Sequence, residues 1–227
     1  MFIGHFGVGF GAKAAAPRVS LGTLLLAAQF VDLLWPLFVL LGVERVRIDP
    51  GNTAVTPLDF VSYPVTHSLL TGVGWAVLVG GAYLATRRRL RGAAVVAAAV
   101  VSHWVLDWVS HRPDLPIVPG GSKVGLGLWN SVPATVVVES LIFAAGIALY
   151  LRATCARDRV GHWALWALVA FLAIAYAGNL AGPPPPSVKA LGWVGLATWL
   201  FVPWGYWIDR HREAVAPSAG TVPGTPA

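Results

Sequence analysis

Charge is scarce in this chain. Only 11% of its residues are Asp, Glu, Lys or Arg, against about a quarter in soluble domains. With 56% hydrophobic residues and a mean hydropathy of +0.68, that deficit excludes an ordinary soluble domain and points to a membrane. Cysteine is nearly missing as well. The single Cys155 excludes an internal disulfide and leaves thiol redox chemistry without a partner. Acidic residues are fewer than basic ones, giving a net charge of +6 and a pI near 10.0. The excess does not signal nucleic acid, because the arginines fall in short runs between apolar stretches, as topology signals do. The N-terminus lacks the basic n-region of a signal peptide, and Lys13 interrupts its apolar run, so it reads as mature chain. No internal repeat is visible.

Long apolar runs are what the chain has. Their lengths predict an all-α, polytopic transmembrane bundle of six full spans: Leu21–Val43, Ser62–Thr86, Gly92–His111, Ser131–Leu151, Trp163–Ala181 and Val188–Trp207. Met1–Ala16 is apolar and Gly-rich but too short to span, and reads as a short N-terminal membrane helix. Residues 1–213 form one transmembrane domain, with residues 1–119 as the half bearing the polar motifs and 131–208 as additional spans. Residues 214–227, rich in Pro, Gly, Thr and Ala, read as a disordered tail. Eleven Lys and Arg fall on one side of the alternating spans and five on the other. The positive-inside rule therefore predicts a multi-pass protein of a bacterial-type inner membrane with a cytoplasmic C-terminus.

Ionisable side chains inside such spans are costly, which makes each a functional-site hypothesis. His103 and Asp107 stand one helical turn apart on one face of the third span. Counting 1.5 Å per residue puts His103 roughly 17 Å above Gly92 and Asp32 roughly 21 Å above Arg18. By the same count His5 rises roughly 18 Å above Pro17, and His67 lies about 7 Å below the outer end of its span. Four segments thus place His5, Asp32, His67, His103 and Asp107 in the middle or outer half of the bilayer. Three imidazoles and two carboxylates suit a divalent ion, zinc first, with manganese or iron as alternatives. Such an ion lowers the pKa of bound water and makes it a nucleophile for an ester or phosphoester. Asp107 and Glu139 are the candidate catalytic carboxylates, Glu139 as a general base left free of metal. His111 is expected at the membrane surface, and Asp114, beside Leu115-Pro116, is expected to be a turn residue.

Gly4-His5-Phe6, Asp32 in Gln29-Phe30-Val31-Asp32, Thr66-His67-Ser68 and Ser102-His103 through Asp107 occur in that order. Together they resemble the predicted membrane-bound metal-dependent hydrolases, the family related to the LexA-binding inner-membrane-associated hydrolase. That family carries an N-terminal histidine, then Pro-Asp-x-Asp, His-Arg-Gly-x-Thr-His-Ser and Ser-His-x-x-x-Asp. The resemblance covers roughly Met1 to Pro119. Phe30 stands where the family has its first aspartate, and Ser62-Tyr63-Pro64 replaces His-Arg-Gly. The resemblance implies a metal-dependent hydrolase, and the departures imply one metal at most or altered chemistry. The expected substrate is a lipid or lipid-linked ester or phosphoester, since a soluble substrate gains little from a site inside the bilayer. The alternatives are a proton- or ion-coupled transporter using the same groups, and an inactive scaffold stapled by metal.

Overall fold

A computed structural model describes residues 1–215. Among the described residues ten helices carry the fold: α1 Ile3–Ala15, α2 Leu21–Ala28, α3 Phe30–Leu40, α4 Pro64–His67, α5 Leu69–Arg87, α6 Leu90–Ser110, α7 Val132–Ala153, α8 Arg159–Ala181, α9 Val188–Leu196 and α10 Phe201–Arg210. By length and composition α5, α6, α7 and α8 can each cross a membrane, and the bent pair α2–α3 raises the number to five. Their outer surfaces are apolar: Leu70, Val77, Leu78, Leu141 and Ile174 are each at least 58% exposed. A soluble fold would bury those side chains, whereas lipid accepts them.

The sixth expected span does not form one continuous α-helix. A 3₁₀ turn, Ala197–Leu200, separates α9 from α10. Pro203 has no N–H to return to the Trp199 carbonyl. Thr198 Oγ1 donates to the Gly195 carbonyl at 2.6 Å, and Trp199 Nε1 donates across to the Leu33 carbonyl of α3 at 2.9 Å. The segment therefore trades a regular helix for one local side-chain bond and one to α3.

Helix α1 lies inside the bundle. Phe6 and Phe10 are fully buried against Leu21, Leu25, Leu165 and Leu168. Gly7 and Gly11 let α1 approach α7 around Gly146. At its far end the buried Lys13 donates to Asp209 of α10 at 2.6 Å and to the Val19 carbonyl at 2.9 Å.

The all-α expectation misses three short antiparallel ribbons. β1 Arg45–Ile48 pairs with β2 Leu58–Ser62, β3 Leu115–Pro116 with β4 Lys123–Val124, and β5 Thr154–Ala156 with β6 Arg212–Ala214. Arg45-Val46-Arg47-Ile48 alternates polar and apolar residues before the turn-forming Asp49-Pro50-Gly51-Asn52, which is the pattern of a hairpin arm. In its register Arg45 faces Ser62, which sets the preceding Glu44 beside Tyr63 and the first turn of α4. Ala214 belongs to β6 rather than to a tail, and the rest of that expected tail, residues 216–227, lies outside the described residues.

Candidate metal centre

The five expected ligands meet at one place. His5 comes from α1, Asp32 from α3, His67 from the end of α4, and His103 with Asp107 from α6. His5, His67, His103 and Asp107 are each at most 5% exposed. His5 Nε2 lies 3.0 Å from Asp107 Oδ1, and His103 Nε2 lies 3.2 Å from Asp107 Oδ2 and 3.5 Å from Asp32 Oδ1. His67 Nε2 lies 3.2 Å from Asp32 Oδ1 and 3.6 Å from Asp107 Oδ2. Two overlapping groups result, His5–His103–Asp107 and Asp32–His67–His103, and in each the ligand atoms lie within 4.8 Å of one another. Ligands around a tetrahedral ion at 2.0–2.2 Å stand about 3.4 Å apart. The separations of 3.0–3.6 Å found here are of that size. These buried groups can hold a metal ion.

Local chain breaks aim the side chains. Between α2 and α3 the chain bends by 55°, with Gln29 at φ −102° and ψ 4°. Ala28, the last residue before the break, turns its carbonyl to His103 Nδ1 at 2.8 Å. A carbonyl only accepts, so Nδ1 carries the proton and Nε2 of a neutral His103 keeps its lone pair. That Nε2 is buried without a hydrogen-bond partner, as is Nδ1 of His5. The His5 and His103 rings are stacked, their centroids 3.6 Å apart. A buried lone pair set among carboxylate oxygens is unfavourable unless a cation lies between them. The Met1 amino group, itself cationic, also lies on Asp107 Oδ1.

His67 is held from behind. Its Nδ1 lies 2.6 Å from Thr66 Oγ1, and that hydroxyl lies 2.7 Å from Glu44 Oε2. Glu44 Oε1 accepts the Val65 and Thr66 backbone N–H groups at 2.8 and 2.9 Å, capping α4, which Pro64 opens.

Glu139 belongs to neither ligand group. Its Oε2 accepts the backbone N–H groups of Phe2 and Gly4 at 2.7 and 3.1 Å, so it closes the N-terminal end of α1. Helix dipole and orphan N–H groups both favour a carboxylate there.

A cavity of about 180 Å³ adjoins the centre. Asp32, His67 and Asp107 stand on its wall, facing Trp35, Phe60 and Trp129. Pro36 of α3 and Gly195 of α9 also border it, so it meets the seam between those helices. His111 lines it too, and is 2% exposed. Asp114 is more than a turn residue. Its Oδ1 accepts from His111 Nδ1 at 2.9 Å and from the Tyr63 hydroxyl at 3.1 Å, and its Oδ2 from Arg112 Nε at 3.2 Å. Burial pushes the Asp114 carboxyl up, but the bonds from His111, Tyr63 and Arg112 outweigh it and hold the group below its usual range. Tyr63 is pushed upward by burial and by the Asp114 charge.

Sequence reasoning missed Glu44, the Ala28 carbonyl and the Asp114–His111 pair. Glu44 had one weak signal, an isolated acid closing an apolar run, and Ala28 had none.

No protein-family model, no characterised protein and no solved structure matches this chain. The likeness to membrane-bound hydrolases rests on the short motifs alone.

Proposed function

We propose that this chain is an integral membrane protein in which His5, Asp32, His67, His103 and Asp107 hold a divalent ion, zinc first. Its reaction is hydrolysis of an ester or phosphoester of a lipid or lipid-linked molecule. One observation carries this reading: ligand atoms from four separate helical segments converge at metal-ligand spacing, and those of Asp32, His67 and Asp107 stand on the wall of a cavity. The ion would supply charge to polarise the scissile group and to make water acidic enough to attack. The protein's own groups do the rest. Asp107 bridges His5 and His103, while Asp32 bridges His67 and His103. Trp35, Phe60 and Trp129 give the cavity an apolar wall that limits water. Its volume of about 180 Å³ suits a head group or ester fragment, below the 300 Å³ or so at which pockets for whole drug-sized ligands begin. Acyl chains would remain in the lipid beyond the α3–α9 seam.

The same reading takes α9, the 3₁₀ turn and α10 as a sixth, broken span, and α1 as a membrane helix buried in the bundle. The excess of arginines around Arg87-Arg88-Arg89 and Arg210 supports a bacterial-type inner membrane with that side, and the C-terminus, in the cytoplasm.

The first test is elemental analysis of detergent-purified protein beside a His103→Ala, Asp107→Ala double variant. About one metal per chain in the wild type and none in the variant is expected. Stoichiometric metal in a folded double variant removes the assignment. Mass spectrometry of defined phospholipids incubated with the metal-loaded protein then tests hydrolysis.

A second reading, ion- or proton-coupled transport, draws on the 55° break between α2 and α3 three residues before Asp32. Broken helices frame ion sites in many transporters. Proton or metal flux into proteoliposomes, without lipid breakdown, would favour it.

A further inference from the structure

We infer that Thr66 and Glu44 act as positioning residues that fix which nitrogen of His67 carries its proton, and so aim the Nε2 lone pair at Asp32 and His103. The hydroxyl of Thr66 has one hydrogen and two strong neighbours, Glu44 Oε2 at 2.7 Å and His67 Nδ1 at 2.6 Å. The Glu44 carboxylate can only accept, so the hydroxyl gives its hydrogen to Glu44. Its oxygen must then accept from His67, which puts the imidazole proton on Nδ1. A neutral imidazole with Nδ1–H has its lone pair on Nε2, the atom that lies 3.2 Å from Asp32 and 3.6 Å from Asp107. The opposite tautomer would turn an N–H toward the centre and occupy the place of a ligand bond.

The chain is rigid enough to enforce this choice. Thr66 and Glu44 are each 1% exposed, and Ser68 behind them is fully buried. Glu44 cannot rotate away without abandoning the two N–H groups of α4 that its other oxygen accepts. It is in place because β1 and β2 pair with Arg45 opposite Ser62. The polarity of the relay therefore runs from the hairpin, through Glu44 and Thr66, to the ring. His103 reaches the same tautomer by a different route, the Ala28 carbonyl. Two of the three histidines thus present Nε2 lone pairs toward the carboxylates.

The consequence for metal affinity rests on the metal-centre reading above, whereas the tautomer does not. Both are measured on the full chain in detergent. In metal-stripped protein labelled with ¹⁵N-histidine, the His67 resonances are identified by their loss in His67→Gln. They should report a protonated Nδ1; without metal, Nε2 is free to take a second proton and donate it to Asp32 Oδ1, 3.2 Å away. Glu44→Gln has the same shape but sets an amide N–H₂ against Thr66. This reverses the relay, so His67 should shift toward the Nε2–H form. Zinc affinity, measured by competition with a chromogenic chelator, should fall about 10–100-fold in Thr66→Val and in Glu44→Gln, as it does when partners of ligating histidines are lost. Thr66→Ser restores the hydroxyl and should return affinity to near the wild-type value. A bare Nδ1 with the proton on Nε2 alone in the wild type, or zinc affinity unchanged in both Thr66→Val and Glu44→Gln, overturns the inference. Wild-type protein that binds no zinc, yet shows the Nδ1–H form and its reversal in Glu44→Gln, upholds the positioning and removes the metal reading.

Discussion

Gly7 and Gly146 meet backbone to backbone where α1 crosses α7. A Cβ on Gly7 would fall 2.6 Å from the Ile142 carbonyl oxygen and 2.9 Å from the Phe143 Cα. A Cβ on Gly146 would collide with the Gly7 carbonyl group. Backbone cannot swing aside as a long side chain can, so any larger residue here must push α1 away from α7. Because α1 carries His5, the displacement reaches the centre. Gly7→Val or Gly146→Val should lower stability by about 1–3 kcal/mol, the usual cost of overpacking, and should weaken metal binding. By contrast, Gly81→Ala, at a position with open space around it, should change neither. Thermal unfolding in detergent and metal content per chain check both. Equal metal content and melting in Gly7→Val would mean that α1 is not pinned by this contact.

Glu139 separates two roles by a single pair of variants. As a cap it needs only an oxygen that accepts the Phe2 and Gly4 N–H groups. As a general base it needs a carboxylate. Glu139→Gln keeps an acceptor oxygen and should retain most of the stability, whereas Glu139→Ala orphans two N–H groups and should cost about 1–3 kcal/mol. If Glu139→Gln is as stable as wild type but loses lipid hydrolysis by about 100-fold or more, the size expected for a lost general base, the carboxylate takes the proton itself. If both stability and turnover survive in Glu139→Gln, its role is confined to α1.

The parts of the centre that one helical period fixes are legible in the amino-acid sequence alone. His103 and Asp107 share a face because they are four residues apart, and apolar surroundings make their burial costly enough to need a reason. Asp32 and His67 are legible by depth, since counting residues from span ends puts both in the same slab. His5 follows from the same count once Met1–Ala16 is taken as a helix. What stays hidden depends on relations between segments. Glu44 approaches Thr66 only through the register of a hairpin, and that register includes a bulge between Arg45 and Arg47. The capping of α1 by Glu139 links residues more than 130 positions apart, which no local pattern encodes. The six-span reading falls short in α9–α10, where hydropathy is blind to a proline and to the Trp199 side chain that bonds α3.

Lys13 and Asp209 form a tie remote from the centre. Asp209 accepts from Lys13 Nζ at 2.6 Å, from the Leu21 backbone N–H at 2.9 Å and from the Tyr150 hydroxyl at 3.2 Å, joining α1, α2, α7 and α10. Removing one member leaves the other charge buried without its partner, which costs about 3–5 kcal/mol. Asp209→Ala should therefore lower the melting temperature more than Lys13→Met, because Met keeps the packing and leaves Asp209 two neutral donors. Metal content of the folded fraction should be unaffected in both. Identical melting in Asp209→Ala and wild type would show that the tie contributes nothing.

Asp114 gives the chain a defined acid sensitivity outside the membrane spans. Its folded carboxyl is held below its usual value, burial being outweighed by hydrogen bonds from His111, Tyr63 and Arg112. Arg112 also pairs with Asp59, which Arg47 binds as well, so the cluster holds two carboxylates, two guanidiniums, one phenol and one imidazole. A depressed folded pKa means that the unfolded chain takes up the proton first. The stabilisation is present above the unfolded value of about 3.9, and disappears as pH falls through the lower folded value. Asp114→Asn cannot ionise and lacks this contribution at every pH. Wild type should thus melt above Asp114→Asn at pH 7, with the gap closing below about pH 4. Groups remote from Asp114 are common to both proteins and cancel from the difference. Melting curves of the two proteins in detergent from pH 7 to about pH 3 measure the gap. A gap that stays constant across that range would mean that the Asp114 charge adds nothing to stability, leaving only the shape of its side chain to account for the difference.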